Sequence, residues 1–182
     1  MMMSIESREE VLRLFHDIYG EWTIGVIFVS SNESARVVAA YQDGDIGVQI
    51  VDWSATYESP LLGDSGHAAL GSGRIDLEVE QLRGIGLGSL LMQPLISWIK
   101  SRSATVPVMN INLAGPDART EAEKRRRNRF YEKLGFQFDY KDDETHGVSI
   151  DMTSDKLIIP PFQLSRGWKV ESIGNAGEVF CQ

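Results

Sequence analysis

Residues Ile75 to Gly88 constrain this chain more than any other stretch. Ile75, Leu77 and Val79 alternate with Asp76, Glu78 and Glu80, the period of a strand with one apolar face. Arg83-Gly84-Ile85-Gly86-Leu87-Gly88 follows directly. Then Leu87, Leu90, Leu91, Leu95, Trp98 and Ile99 recur at helical spacing, with Pro94 set to kink the helix. Glycines in such a turn let backbone N–H groups approach a ligand closely. The first turn of the helix leaves N–H donors unpaired at the positive end of its dipole. Arg83 adds a permanent cation, so the local physics suits a pyrophosphate. The bland alternative is a tight connection with no ligand. A P-loop would need Gly-Lys-Ser/Thr, and here Ser89 follows Gly88 with no lysine. A dinucleotide fingerprint would need G-x-G-x-x-G, and the spacing here is G-x-G-x-G.

A second constellation lies 40 residues on. Thr120-Glu121-Ala122-Glu123 has the capping-box pattern, which predicts a helix from 120 or 121 to Leu134, stopped by Gly135. Its end reads Asn128-Arg129-Phe130-Tyr131-Glu132-Lys133-Leu134-Gly135-Phe136. Phe130, Leu134 and Phe136 read as core, while the Tyr131 phenol can donate a proton to a leaving thiolate.

R-x-x-G-x-G opening a helix, then F-Y-x-K-x-G-F at the end of the next, resembles the GNAT superfamily of N-acetyltransferases, over about Ile75 to Met152. The resemblance implies an α/β (mixed-sheet α+β) fold in which an amine attacks the thioester of acetyl-CoA directly. It assigns the CoA pyrophosphate to Arg83, Gly84, Ile85, Gly86, Leu87, Gly88 and Ser89, and the pantetheine arm to the strand around Val79. Tyr131 then falls near the thioester sulfur, and Asn128 is a further candidate for the cofactor, at a shorter spacing than the common one. Glu78, flanked by Asp76 and Glu80 on one strand face, is the candidate base; the alternatives are a solvated face and a water chain. No metal is implied: His16, His67 and His146 are each isolated.

Elsewhere the periods predict a helix over 5–19, carried by Ile5, Val11, Leu12, Phe15 and Ile18. Strands are expected at Ile24–Phe28, Ala35–Tyr41 and Ile46–Val51, with a turn at Asp43-Gly44-Asp45. Residues 54–73 read as a long loop, 106–113 as a strand, and Phe136–Tyr140 with Val148–Met152 as a closing pair. One domain over 1–153 with an extension over 154–182 accounts for the chain. That tail, with Ile158-Ile159-Pro160-Pro161-Phe162 and Trp168, reads as packing across the domain; the alternatives are a homodimer contact or a wall of the acceptor site.

The net charge of −8 opposes nucleic acid and anionic membranes but not a cationic amine. Lys124-Arg125-Arg126-Arg127 with Arg129 is the one dense basic run, either a solvated helix face or a contact for a CoA phosphate or acidic partner. The single cysteine, Cys181, and the absence of a signal-like N-terminus or a long apolar run lead to the expectation of a soluble cytoplasmic protein. The resemblance implies a primary amine on a small molecule or peptide as the acceptor. The competing expectations are a non-catalytic acyl-CoA-binding or docking module and a toxin-type acetyltransferase acting on charged tRNA.

Overall fold

Four long strands form the frame: β1 (Glu6–His16), β2 (Gly20–Ser30), β3 (Ser34–Asp43) and β4 (Ile46–Glu58). The computed structural model describes residues 5–43, 46–60, 66–71, 73–77, 79–102, 105–115, 118–141 and 143–174. Each of the four strands pairs antiparallel with the next. Apolar side chains form rows across one face: Leu12, Ile24 and Tyr41 in one, Phe28, Val37 and Trp53 in another. Such cross-strand neighbours are the unit of sheet stability.

The helix expected over 5–19 is instead β1. Ile5 and Ile18, assigned to its apolar face, are 70% and 80% exposed, whereas Leu12 and Leu14 point into the core. The strand prevails because it satisfies two ladders at once. It pairs with β2 from Glu6↔Ser30 to His16↔Gly20, and its other edge takes β12 (Lys169–Gly174). A local helical period cannot anticipate a partner more than 150 residues away.

The strand expected at Ile46–Val51 continues to Glu58, which shortens the loop expected over 54–73. Part of that loop is β5 (His67–Leu70), paired with Ala55–Glu58. The strand expected over 75–79 is only β6 (Arg74–Ile75), paired with Val51 and Asp52. Beyond Asp76 the chain turns inward: Leu82 and Arg83 donate to the carbonyls of Val79 and Glu80, and Leu82 enters the core through a short 3-10 turn. Gly44, Asp45 and Glu78 lie outside the described residues.

The helix after the glycine turn divides into α1 (Leu87–Leu91) and α2 (Gln93–Arg102), as Pro94 requires, since its ring nitrogen cannot bond the Leu90 carbonyl. Leu95, Ile96, Trp98 and Ile99 of α2 are buried, and the helix packs on β3 and β4. The single strand expected over 106–113 is two, β7 (Pro107–Val108) and β8 (Asn112–Leu113), in different sheets. α3 (Glu121–Lys133) begins at Thr120 with both bonds of the capping box and stops before Gly135, as its sequence predicts. β9 (Phe138–Lys141) and β10 (His146–Ser149) are the expected closing pair, shifted by two residues, and β11 (Met152–Thr153) joins β7.

The main sheet runs β11-β7-β5-β4-β3-β2-β1-β12, with β6 beside β5 on the edge of β4; β8-β10-β9 form a second sheet. The fold is thus mixed α and β, dominated by a large, mostly antiparallel sheet. Among the described residues the one parallel pair is β5 with β7, at Ala68↔Val108. A parallel neighbour needs a crossover, and this one carries β6, the glycine turn, α1 and α2. The tail packs across the domain: Lys100 Nζ donates to the carbonyls of Ser154, Asp155 and Leu157, Gln93 donates to Pro160, and Trp168 is buried.

Candidate functional site

Where β6 leaves β4, the chain opens a cleft of about 900 Å³. One wall is Ile75, Asp76, Leu77 and the glycine turn; the other is α3 with Asn112 and Leu113 of β8. Trp53 of β4 lines it, and Ser165 and Arg166 reach it from the tail.

The turn exposes backbone to this cleft because of two left-handed residues. Gly84 has φ +72° and Gly86 has φ +96°, conformations that cost an L side chain about 1–2 kcal/mol. At Gly86 no atom lies within 4 Å of where a Cβ would stand, so that backbone faces open space. Ile85 between them is buried and does not line the cleft; its carbonyl accepts from the tail. Leu87 and Ser89 are buried residues at the cleft wall. The Arg83 guanidinium donates through Nε to the Leu77 carbonyl, which fixes it at the rim.

The charge of this cleft opposes that of the whole chain. Arg83, Arg125, Arg126, Arg127, Arg129, Lys133 and Arg166 line it, against the carboxylates of Asp76 and Glu123. Both carboxylates are engaged: Asp76 pairs with Arg74, and Glu123 accepts the Thr120 N–H at 3.0 Å in the capping box. Arg125 pairs with Glu121, whose carboxyl is held below its usual range by hydrogen bonding to Lys124 first and Arg125 second. Arg127 is spent on structure, donating to the carbonyls of Ala114, Glu144 and Thr145. Among the described residues, Arg83, Arg126, Arg129, Lys133 and Arg166 have no carboxylate partner. A concentrated cationic cleft in a protein of net charge −8 attracts and focuses anions.

The cleft also has an aromatic part. Tyr131 lines it, its ring 5.1 Å from Phe130, 6.4 Å from Trp53 and 5.9 Å from Phe138 by centroids. Gly88 faces Ile75 and Phe130, which brings the start of α1 against α3. The Trp53 Nε1–H is buried and meets no acceptor among the described residues.

The structure therefore brings together Arg83, Gly84, Gly86, Leu87, Gly88, Ser89 and Tyr131 at one cleft. Asn128 is elsewhere: 5% exposed, it donates to the Glu144 carbonyl at 3.2 Å and accepts from Arg127, tying α3 to the turn before β10. Val79 is half-buried and off the cleft, its carbonyl closing the 3-10 turn. Glu78 lies outside the described residues, and of the carboxylates flanking it, Asp76 and Glu80, Asp76 lines the cleft and Glu80 does not. Sequence reasoning missed Trp53 and Arg166. Neither carried a local signal, because each arrives through pairing or packing remote in sequence. The basic run of α3 did carry one, and its outer members face the cleft rather than open solvent alone. No protein-family model, curated protein or solved structure matches the chain.

Proposed function

We propose that this protein is an acetyl-CoA-dependent N-acetyltransferase with a GNAT-like catalytic cleft. The observation that carries the reading is the convergence, on one cleft that also holds Tyr131, of the left-handed glycine turn and of α3 cations with no carboxylate partner among the described residues. Backbone amides and arginines suit the pyrophosphate of CoA, and Arg126, Arg129 and Lys133 suit its further phosphate. The apolar part between Ile75, Trp53 and Phe130 suits the pantetheine arm.

In this reading the amine nitrogen attacks the thioester carbonyl carbon. A C–N bond forms, the C–S bond breaks, and the electron pair leaves on sulfur. The Tyr131 phenol gives its proton to that thiolate and is reprotonated from solvent. The proton shed by the amine passes to a carboxylate or to water, with Glu78 or Asp76 as the carboxylate on this segment. The acceptor is a primary amine of a small molecule or peptide. Binding acyl-CoA without transfer is the competing outcome.

Calorimetric titration with acetyl-CoA tests the reading. The parent should bind, and Gly86→Glu, which sends a carboxylate into open cleft space, should abolish binding while retaining a cooperative thermal transition. With an amine panel and a thiol-release readout, Tyr131→Phe should lower kcat by about 10²-fold or more with little change in the acetyl-CoA KM. A folded parent that ignores acetyl-CoA would sink the proposal. Binding with no thiol release for any amine would leave a binding module.

A further inference from the structure

We infer that Arg166, delivered by the tail, is an anion-binding residue that clamps a pyrophosphate against the glycine turn. The identity of that pyrophosphate as part of CoA rests on the function proposed above; the anion site does not.

The turn from Ser165 to Trp168 is built rather than draped. Ser165 donates twice to the Ile85 carbonyl, through its backbone N–H at 2.8 Å and its hydroxyl at 3.0 Å. The Trp168 N–H returns to the Ser165 carbonyl at 3.2 Å. Its central residues are both left-handed, Arg166 at φ +57° and Gly167 at φ +80°. Glycine takes that conformation freely, whereas arginine holds it against the steric preference of an L residue. His16 supports it: Ile18 N–H donates to Nδ1 at 3.0 Å, which leaves Nε2 as the protonated nitrogen, and Nε2–H donates to the Arg166 carbonyl at 3.1 Å. The Trp168 ring, 4% exposed, packs 5.3 Å from His16. A strained residue held in place by this many contacts is a reason to ask what its side chain does.

That side chain reaches the cleft. The guanidinium lies 3.5 Å from where a Cβ on Gly84 would stand, facing the first left-handed residue of the glycine turn. It is exposed, lines the cleft, and among the described residues has no carboxylate partner. The turn thus runs from Arg166 at Gly84 to Phe130 of α3 at Gly88. An anion seated on it meets α3 cations on one side and a planar, permanently charged fork on the other, the shape that matches phosphate oxygens bidentately.

The test uses Arg166→Asn, because asparagine tolerates the left-handed backbone and keeps the turn, with Arg166→Lys as the charged but unforked comparison. Inorganic pyrophosphate and acetyl-CoA are titrated separately into parent and variants whose thermal unfolding is checked first. Pyrophosphate affinity should fall roughly 10- to 100-fold in Arg166→Asn and recover only partly in Arg166→Lys. Dephospho-CoA and CoA should lose affinity by the same factor, as both retain the pyrophosphate. Pyrophosphate bound equally by parent and Arg166→Asn, or bound by neither, overturns the inference; so does a loss confined to CoA, which would place Arg166 at its 3′-phosphate. The two readings fail separately. Pyrophosphate held through Arg166 by a protein that ignores acetyl-CoA sinks the transferase alone, while acetyl-CoA bound alike by parent and Arg166→Asn sinks the clamp alone.

Discussion

Tyr140 shows how one side chain couples this fold to pH. Its hydroxyl donates to Glu132 at 2.9 Å, and burial first, then that carboxylate, push the phenol well above the ordinary tyrosine range. The folded state therefore keeps a proton that the unfolded chain releases near pH 10. This contribution is fully present below that pH and is lost as pH rises toward the folded value. Parent stability should decline above about pH 10, and Tyr140→Phe should flatten that decline. Urea midpoints at a series of alkaline pH values check this, and parallel curves for the two proteins would refute it. At the same scale Gly84, Gly86 and Tyr131, which the sequence singles out by glycine spacing and a terminal helix pattern, all line the one cleft. Asn128 was named by the same pattern but is consumed by the Glu144 carbonyl. A motif records which residue types occur; it does not record which bonds the surrounding turns will claim.

Among the elements, α3 was the most legible and β1 the least. The start of α3 is written in its first four residues. Thr120 Oγ1 accepts the Glu123 N–H at 3.2 Å while Glu123 returns to the Thr120 N–H. Thr120→Ala should cost about 1 kcal/mol of stability, read as a lowered urea midpoint at unchanged slope. Because alanine keeps the backbone N–H that holds the Glu123 carboxylate, the same variant should change acetyl-CoA affinity by less than the effect of Arg166→Asn. β1 lacks any such local statement. Its residues fit a helical period well enough, and only the ladders to β2 and β12 decide otherwise. The same is true of β4, whose last residues are held between β3, up to Ser34↔Thr56, and β5, which comes back along their other edge.

For the molecule as a whole, the tail is a working part of the sheet and of the cleft. β12 occupies the outer edge of β1, and Trp168 anchors the turn that carries Arg166. Trp168→Ala should remove about 3–5 kcal/mol and weaken pyrophosphate binding even under conditions where the protein stays folded. Limited proteolysis should then cut near residue 165 before any other site; a variant that loses stability but keeps parental pyrophosphate affinity would separate the anchor from the clamp. No helix among the described residues is long and apolar enough to cross a membrane. What the sequence determined by itself was everything that rests on contacts a few residues long: the glycine turn, the Pro94 break, the Thr120 cap, the β9–β10 pair and the mixed helix-and-strand composition. What only the tertiary structure decided was which segments meet. It converted the first predicted helix into a strand, split the strand over 106–113 between two sheets, and turned the α3 basic run toward the glycine turn. It also brought Arg166 to Gly84 across more than 80 residues. Short-range geometry is fixed by backbone sterics and local hydrogen bonds, which a sequence displays directly. Long-range pairing is fixed by the competition of all segments for one sheet and one core, and no single stretch of sequence contains that outcome.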